Sequence, residues 1–151
     1  METNNTKNTA ALIHLSTLSQ YLIPFGNYIF PLVIWSSTKD KSQFIDTQGK
    51  RAINFQLSLF LYSVVLCLIA FPILFVTVLK NVSLNSVFNG GDWIIEDFSF
   101  GNITGIVAIA LIAAGIFLML KVAEFFLIIY ASVKSSNGED FKYPLTIPFI
   151  K

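Results

Sequence analysis

Two apolar runs restrict what this chain can fold into. Ala52–Leu79 reads AINFQLSLFLYSVVLCLIAFPILFVTVL and holds no charged side chain. Ile103–Val133 holds only two, Lys121 and Glu124. A helix crosses a bilayer with about 20 apolar residues. Both runs are therefore predicted to be transmembrane helices, antiparallel to each other and long enough to tilt or protrude. Pro72 is expected to kink the first near its outer end. Composition agrees: 54% of the 151 residues are hydrophobic and 13% charged, with a mean hydropathy of +0.68. A soluble domain carries about 25% charged residues to cover its surface. The reading is an all-α integral membrane protein in one domain, 1–151, with the lipid bilayer as its obligatory partner.

A third apolar stretch opens the chain and contains its own breakers. Within YLIPFGNYIFPLVIW, Pro24, Gly26 and Asn27 form a candidate helix-break site. The preceding Ala10–Gln20 is amphipathic: Leu12, Leu15 and Leu18 alternate with His14, Ser16, Thr17, Ser19 and Gln20. Residues 10–35 thus make a broken first segment. Two arrangements stay open: one interrupted span, or a re-entrant hairpin that dips in and returns. The polar stretch Met1–Thr9 lacks the pattern of a cleavable leader, so the first apolar segment is expected to be its own insertion signal.

Orientation follows from the basic residues. The loop 36–51 carries Lys39, Lys41, Lys50 and Arg51, and the tail 134–151 carries Lys134, Lys142 and Lys151. The connection Lys80–Asn102 has Lys80 beside Asp92, Glu96 and Asp97. The positive-inside rule makes the first loop and the tail cytoplasmic and the middle loop external. The membrane expected is the cell inner membrane, crossed more than once. The side of the N-terminus depends on whether residues 10–35 span or return.

Polar residues inside the apolar segments are the candidate sites. Lys121 and Glu124 lie three apart, on one helix face, and form a candidate intramembrane polar pair. If the first segment spans once, Glu124 lies level with Gly26 and Asn27, where a new helix start offers N–H groups. Asn54 and Gln56 are candidate interhelical polar contacts, with Ser58 and Ser63 deeper. His14 has no clustered Cys, Asp or Glu, so it is read as a structural polar group rather than a metal ligand. His14, Ser16 and Ser19 lack a third orienting group, so no catalytic residue is assigned. The lone Cys67 says nothing firm about redox compartment. A net charge of +1 and no basic stripe argue against nucleic acid. No metal and no cofactor is expected. Asn89–Gly91 reads as a turn, and Gly101 with Gly105 as a weak helix-contact spacing. The last residues, YPLTIPFIK, hold two prolines and are expected to run extended, docked under the first cytoplasmic loop or held by a partner.

Three blocks, HLSTLSQYLIPFGNYIFPLVIW, FIDTQGKRAINFQLSLFLY and NGEDFKYPLTIPFIK, together resemble a bacterial membrane family. It is the domain of unknown function numbered four-eight-seven-zero, a Tic-twenty-like group related to the chloroplast inner-envelope import component. The resemblance rests on Pro24, Gly26, Asn27, Pro31, Trp35, Asp46, Gly49, Lys50, Asn54, Phe55 and Gln56, closed by Tyr143, Pro144, Leu145, Thr146 and Ile147. It leaves out the middle loop. It implies a small helical protein of three or four hydrophobic segments in a bacterial inner membrane, with no catalytic motif to carry over. The expected role is a non-enzymatic subunit or accessory of a transport or secretion assembly, meeting a membrane-protein partner or a second copy of itself. The alternative is a small oligomeric channel or carrier that uses Lys121 and Glu124.

Overall fold

The computed structural model describes residues 3–81 and 105–151, and every regular element in them is helical. Helix α1 spans Asn4–Ser16, and a 3-10 turn, Thr17–Tyr21, follows it. Helix α2 spans Gly26–Thr38, with a second 3-10 turn at Lys39–Lys41. The long helices are α3, Gln43–Asn81, and α4, Gly105–Ser136. A tail without helix or strand closes the chain; it turns at Pro144 and Leu145, where Leu145 takes a left-handed φ of 54°, so it does not run extended throughout as expected. The expected turn at Asn89–Gly91, the Gly101 half of the glycine spacing and most of the middle loop lie outside the described residues.

Side-chain oxygens set the helix limits. Thr3 caps α1 by accepting from the Thr6 N–H. At its other end the hydroxyls of Ser16, Thr17 and Ser19 donate to the carbonyls three residues back, at 2.6–2.7 Å. Such back-bonding competes with helical N–H groups, and the chain tightens here into a 3-10 turn. Pro24 then ends the run, and Phe25 takes a left-handed φ of 62°. Ser42 opens α3, accepting from the Phe44 N–H through its hydroxyl and from the Asp46 N–H through its carbonyl. This start lies nine residues before the apolar run, so most of the expected loop 36–51 is helical. The Lys50–Asp46 pair at 2.6 Å, one turn apart, stabilises that charged first stretch. Pro31 and Pro72 lie inside α2 and α3 without ending them.

The described residues form two compact units, Met1–Leu61 with Leu120–Lys151, and Tyr62–Met119. In the first unit, α3 serves as a ruler for the broken segment. His14 of α1 bonds Gln48, Asn27 at the start of α2 bonds Gln56, and Trp35 near the end of α2 returns to Asp46. The chain therefore runs along α3 with α1 and back with α2. Of the two arrangements open to residues 10–35, this is the hairpin, since an interrupted single span would not bring Trp35 back to the level of His14. Ile13, Ile45 and Ala52, with Ile34 and Trp35 packed on them, form its apolar centre.

In the second unit, Ala70, Ala110 and Ala113 are buried, whereas Leu68, Phe71 and Met119 are 68–74% exposed. Small residues inside and large apolar ones outside is a packing that water would oppose and lipid accepts. Two helices are long and apolar enough to cross a membrane, Gln43–Val76 and Val107–Ser136. Their most apolar stretches are only 6% and 17% buried, unlike the core helices of a soluble protein.

Two glycines permit the hairpin's close approaches. A Cβ on Gly26 would lie 2.9 Å from the carbonyl carbon and oxygen of Ser19, and one on Gly49 would lie 2.1 Å from Cδ1 of Trp35. The expectation for Gly26→Ala and for Gly49→Ala is a loss of about 1–3 kcal/mol, typical of overpacking. Thermal melting in detergent checks this, and unchanged melting of both would rule out the packed hairpin.

Candidate functional site

The polar residues gather in the first unit, in two groups. The first is a hydrogen-bonded chain through His14. Its Nε2 lies 3.2 Å from Oε1 of Gln48, and the Gln48 amide donates to Asp140 at 2.7 Å. A carboxylate only accepts, so the Gln48 NH2 faces Asp140 and its oxygen faces His14. His14 therefore donates through Nε2, and its Nδ1 accepts from the Tyr143 hydroxyl at 2.9 Å. Burial lowers the His14 pKa to about 4, the Gln48 bond opposing and the Arg51 charge assisting. Burial first, and the Glu124 charge second, raise the Tyr143 hydroxyl far above its ordinary value. Both groups are neutral at physiological pH, as the directed chain requires.

The same interactions hold the tail. Arg51 donates to Asp140 and, at 2.9 Å, to the Phe141 carbonyl. The Tyr143 ring stacks on Phe55 at 4.0 Å and meets Phe141 edge-on. Asn54 bonds both backbone groups of Ile150, accepting its N–H at 2.8 Å and donating to its carbonyl at 2.9 Å. Ser58 accepts the Ile147 N–H at 2.8 Å. The tail thus docks along α3 from Arg51 to Ser58. Asn54, read as an interhelical contact, meets the tail instead. Gln56 does contact another helix, accepting from Asn27 at 2.7 Å, while its own NH2 is buried without a partner among the described residues.

The second group surrounds Glu124, whose side chain is fully buried. Lys121 donates to its Oε2 and Gln20 to its Oε1, each at 2.9 Å. The break does not supply its partners: the Gly26 N–H donates to the Ile23 carbonyl, and the Asn27 side-chain amide donates to Gln56. The level at which Glu124 would meet Gly26 assumed a single span. In the hairpin the 3-10 turn comes past Glu124 first and supplies Gln20. Pro24 and Phe25 form the exposed end of the turn. Among the described residues no group of three His, Cys, Asp or Glu side chains is placed to hold a metal.

Sequence reading passed over Gln20, Gln48, Asp140 and the partnership of Tyr143 with His14. These contacts join residues 34, 92, 104 and 129 positions apart. No local spacing signals such a contact. The one available hint was polarity: a histidine and a glutamine need partners once buried.

A family model for the MamF/MmsF magnetosome magnetite crystal formation proteins matches residues 5–150. No curated protein and no solved structure matches the chain. The family match overturns the resemblance to the Tic-twenty-like group of unknown function. The blocks behind that resemblance consist of breakers, polar helix residues and a docked tail, which small helical membrane proteins share for physical reasons. They also left the middle loop out, whereas the match runs through it. The expected role as a transport or secretion accessory came with that resemblance and falls with it.

Two outcomes follow from this geometry. Lys121→Leu leaves a fully buried carboxylate with only an amide partner, at an expected cost of about 3–5 kcal/mol. Glu124→Gln leaves Lys121, more than a third exposed, able to reach a polar surface, and is expected to cost less. Melting in detergent ranks them, and the reverse order would refute a pair held together at Glu124. The folded His14 pKa lies below its unfolded value, so the unfolded chain binds the extra proton between pH 6.5 and about 4. Stability is full above pH 6.5 and is lost as pH falls towards 4, by on the order of 3 kcal/mol. His14→Gln should flatten that part of the pH–stability curve, and an unchanged slope would place the titration elsewhere.

Proposed function

We propose, since the chain belongs to the MamF/MmsF magnetosome magnetite crystal formation family, that it is a non-enzymatic integral protein of the magnetosome membrane acting in magnetite crystal formation. The observation that carries this reading is the extent of the match, which takes in both apolar helices, the hairpin and the tail.

In this reading α3 and α4 span the bilayer, antiparallel, and the α1–α2 hairpin is re-entrant. Its tip supports that placement: Leu22 is 86% and Phe25 68% exposed, apolar surface that suits lipid rather than water. Both ends of the hairpin, the turn before α3 and the tail then share one face. Lys39, Lys41, Lys50, Arg51, Lys134, Lys142 and Lys151 make that face cytoplasmic. The N-terminus joins it, since Lys7 of α1 approaches Gly138 of the tail. The connection between the spans belongs to the opposite, vesicle-interior side and brings Asp92, Glu96 and Asp97 there. Carboxylates are oxygen ligands of the kind that bind multivalent cations, and this is where a growing mineral could be met. The Lys121–Glu124 pair, satisfied by Gln20, is structural.

Two measurements test the proposal. In a magnetite-forming bacterium lacking the chain, a variant carrying Asp92→Asn, Glu96→Gln and Asp97→Asn should reach the membrane at wild-type level and leave crystals altered in size or shape. Crystals that are normal even without the chain would overturn the role. On isolated magnetosome vesicles, in a Cys67→Ala background, cysteines at Thr3, Ser42 and Ser136 should all react with an impermeant thiol reagent. One at Ser86 should react only after detergent. Labelling of Thr3 opposite to Ser42 would overturn the re-entrant hairpin.

A further inference from the structure

The docked tail creates a cavity that the fold alone does not use. It lies between α3 and the tail and has a volume of about 330 Å³. Lys50, Arg51 and Lys142 line it, together with Thr47 and the apolar Pro148. Thr47, Lys50 and Arg51 share one face of α3 by their spacing of three and four. No carboxylate lines the cavity. Asp46 and Asp140 bind Lys50 and Arg51 from outside it and so fix where those cations stand. Lys142 is exposed and has no acidic partner among the described residues. Three cations against two carboxylates leave the site net positive.

A neighbouring cavity of about 440 Å³ also uses Lys50 and adds Lys39 and Lys151, but Asp40 and Asp46 line it. Those carboxylates would repel an anion, which singles out the first cavity. Its position selects the type of anion. Lys50 and Arg51 immediately precede the apolar run that begins at Ala52, the level at which a spanning helix meets lipid headgroups. Basic pockets at that level suit phosphate headgroups. A free phosphate would gain nothing from the Pro148 side, whereas the glycerol and first acyl carbons of a lipid would be covered by it.

We propose that this cavity binds the phosphate of an anionic phospholipid, with Lys50, Arg51 and Lys142 around the charge and the tail as the second wall. Docking of the tail and lipid binding then support each other, because the site exists only while the tail is in place.

The test uses the full chain in mild detergent, with dioleoylphosphatidylglycerol, dioleoylphosphatidylcholine or inorganic phosphate added. Melting temperature and lipid retention in native mass spectrometry are read. Phosphatidylglycerol should be retained and should raise the melting temperature, and phosphatidylcholine should do neither. Lys142→Gln should weaken phosphatidylglycerol retention by about fivefold, the effect of one basic residue at a charged lipid surface. Lys41→Gln, the same charge change outside the cavity, should leave it unchanged. Equal loss with Lys41→Gln would reduce the effect to diffuse surface charge and overturn the site. Equal retention of both lipids, or no effect of Lys142→Gln, would do the same. Stabilisation by inorganic phosphate alone would assign the cavity to a free anion and overturn the lipid.

Discussion

A neutral histidine kept from water ties the first unit together. His14 accepts from Tyr143 and donates to Gln48, which in turn donates to Asp140, so one hydrogen-bonded chain joins α1, α3 and the tail. Each buried polar group would be costly alone, and each is satisfied only by the next. Removing the tail would leave Nδ1 of His14 and the NH2 of Gln48 without partners. Removing α1 would leave Tyr143 without one. The tail's other contacts, the Phe55 stack and the reciprocal Asn54–Ile150 bonds, depend on the register this chain sets.

The helix breakers find their explanation in the same unit. Pro24 and Phe25 reverse the chain, and Gly26 lets the start of α2 approach Ser19 closely enough for α1 and α2 to lie side by side. Local bonds and Gln56 satisfy the polar groups that the break exposes, and Glu124 finds its partners in Lys121 and Gln20. The start of α2 at Gly26 and Asn27 is thus covered by protein, while Pro24 and Phe25 stay exposed at the tip. A cationic cavity beside the docked tail extends this economy to the lipid headgroups.

Family membership reached further than motif resemblance. Breakers, polar helix residues and a proline-bearing tail answer to physical demands of the bilayer. Such features point to a class of architecture more firmly than to a family. A match running through residues 5–150 weighs the whole chain, including the connection the motifs omitted.

What the sequence by itself determined is whatever depends on local composition. Long apolar runs identify α3 and α4 because about 20 apolar residues suffice to cross lipid, and no distant contact is needed to recognise them. The i,i+3 spacing of Lys121 and Glu124 and the proline content of the tail are equally local, and both reappear in the structure. Tertiary structure alone decided between a single span and a hairpin, because both arrangements have the same hydropathy and differ only in which residues of α3 face α1 and α2. It alone decided that Gln20 joins Lys121 at Glu124, and which groups meet Asn54 and His14. Those partners lie up to 129 residues away, and a buried polar group specifies that it needs a partner without specifying which.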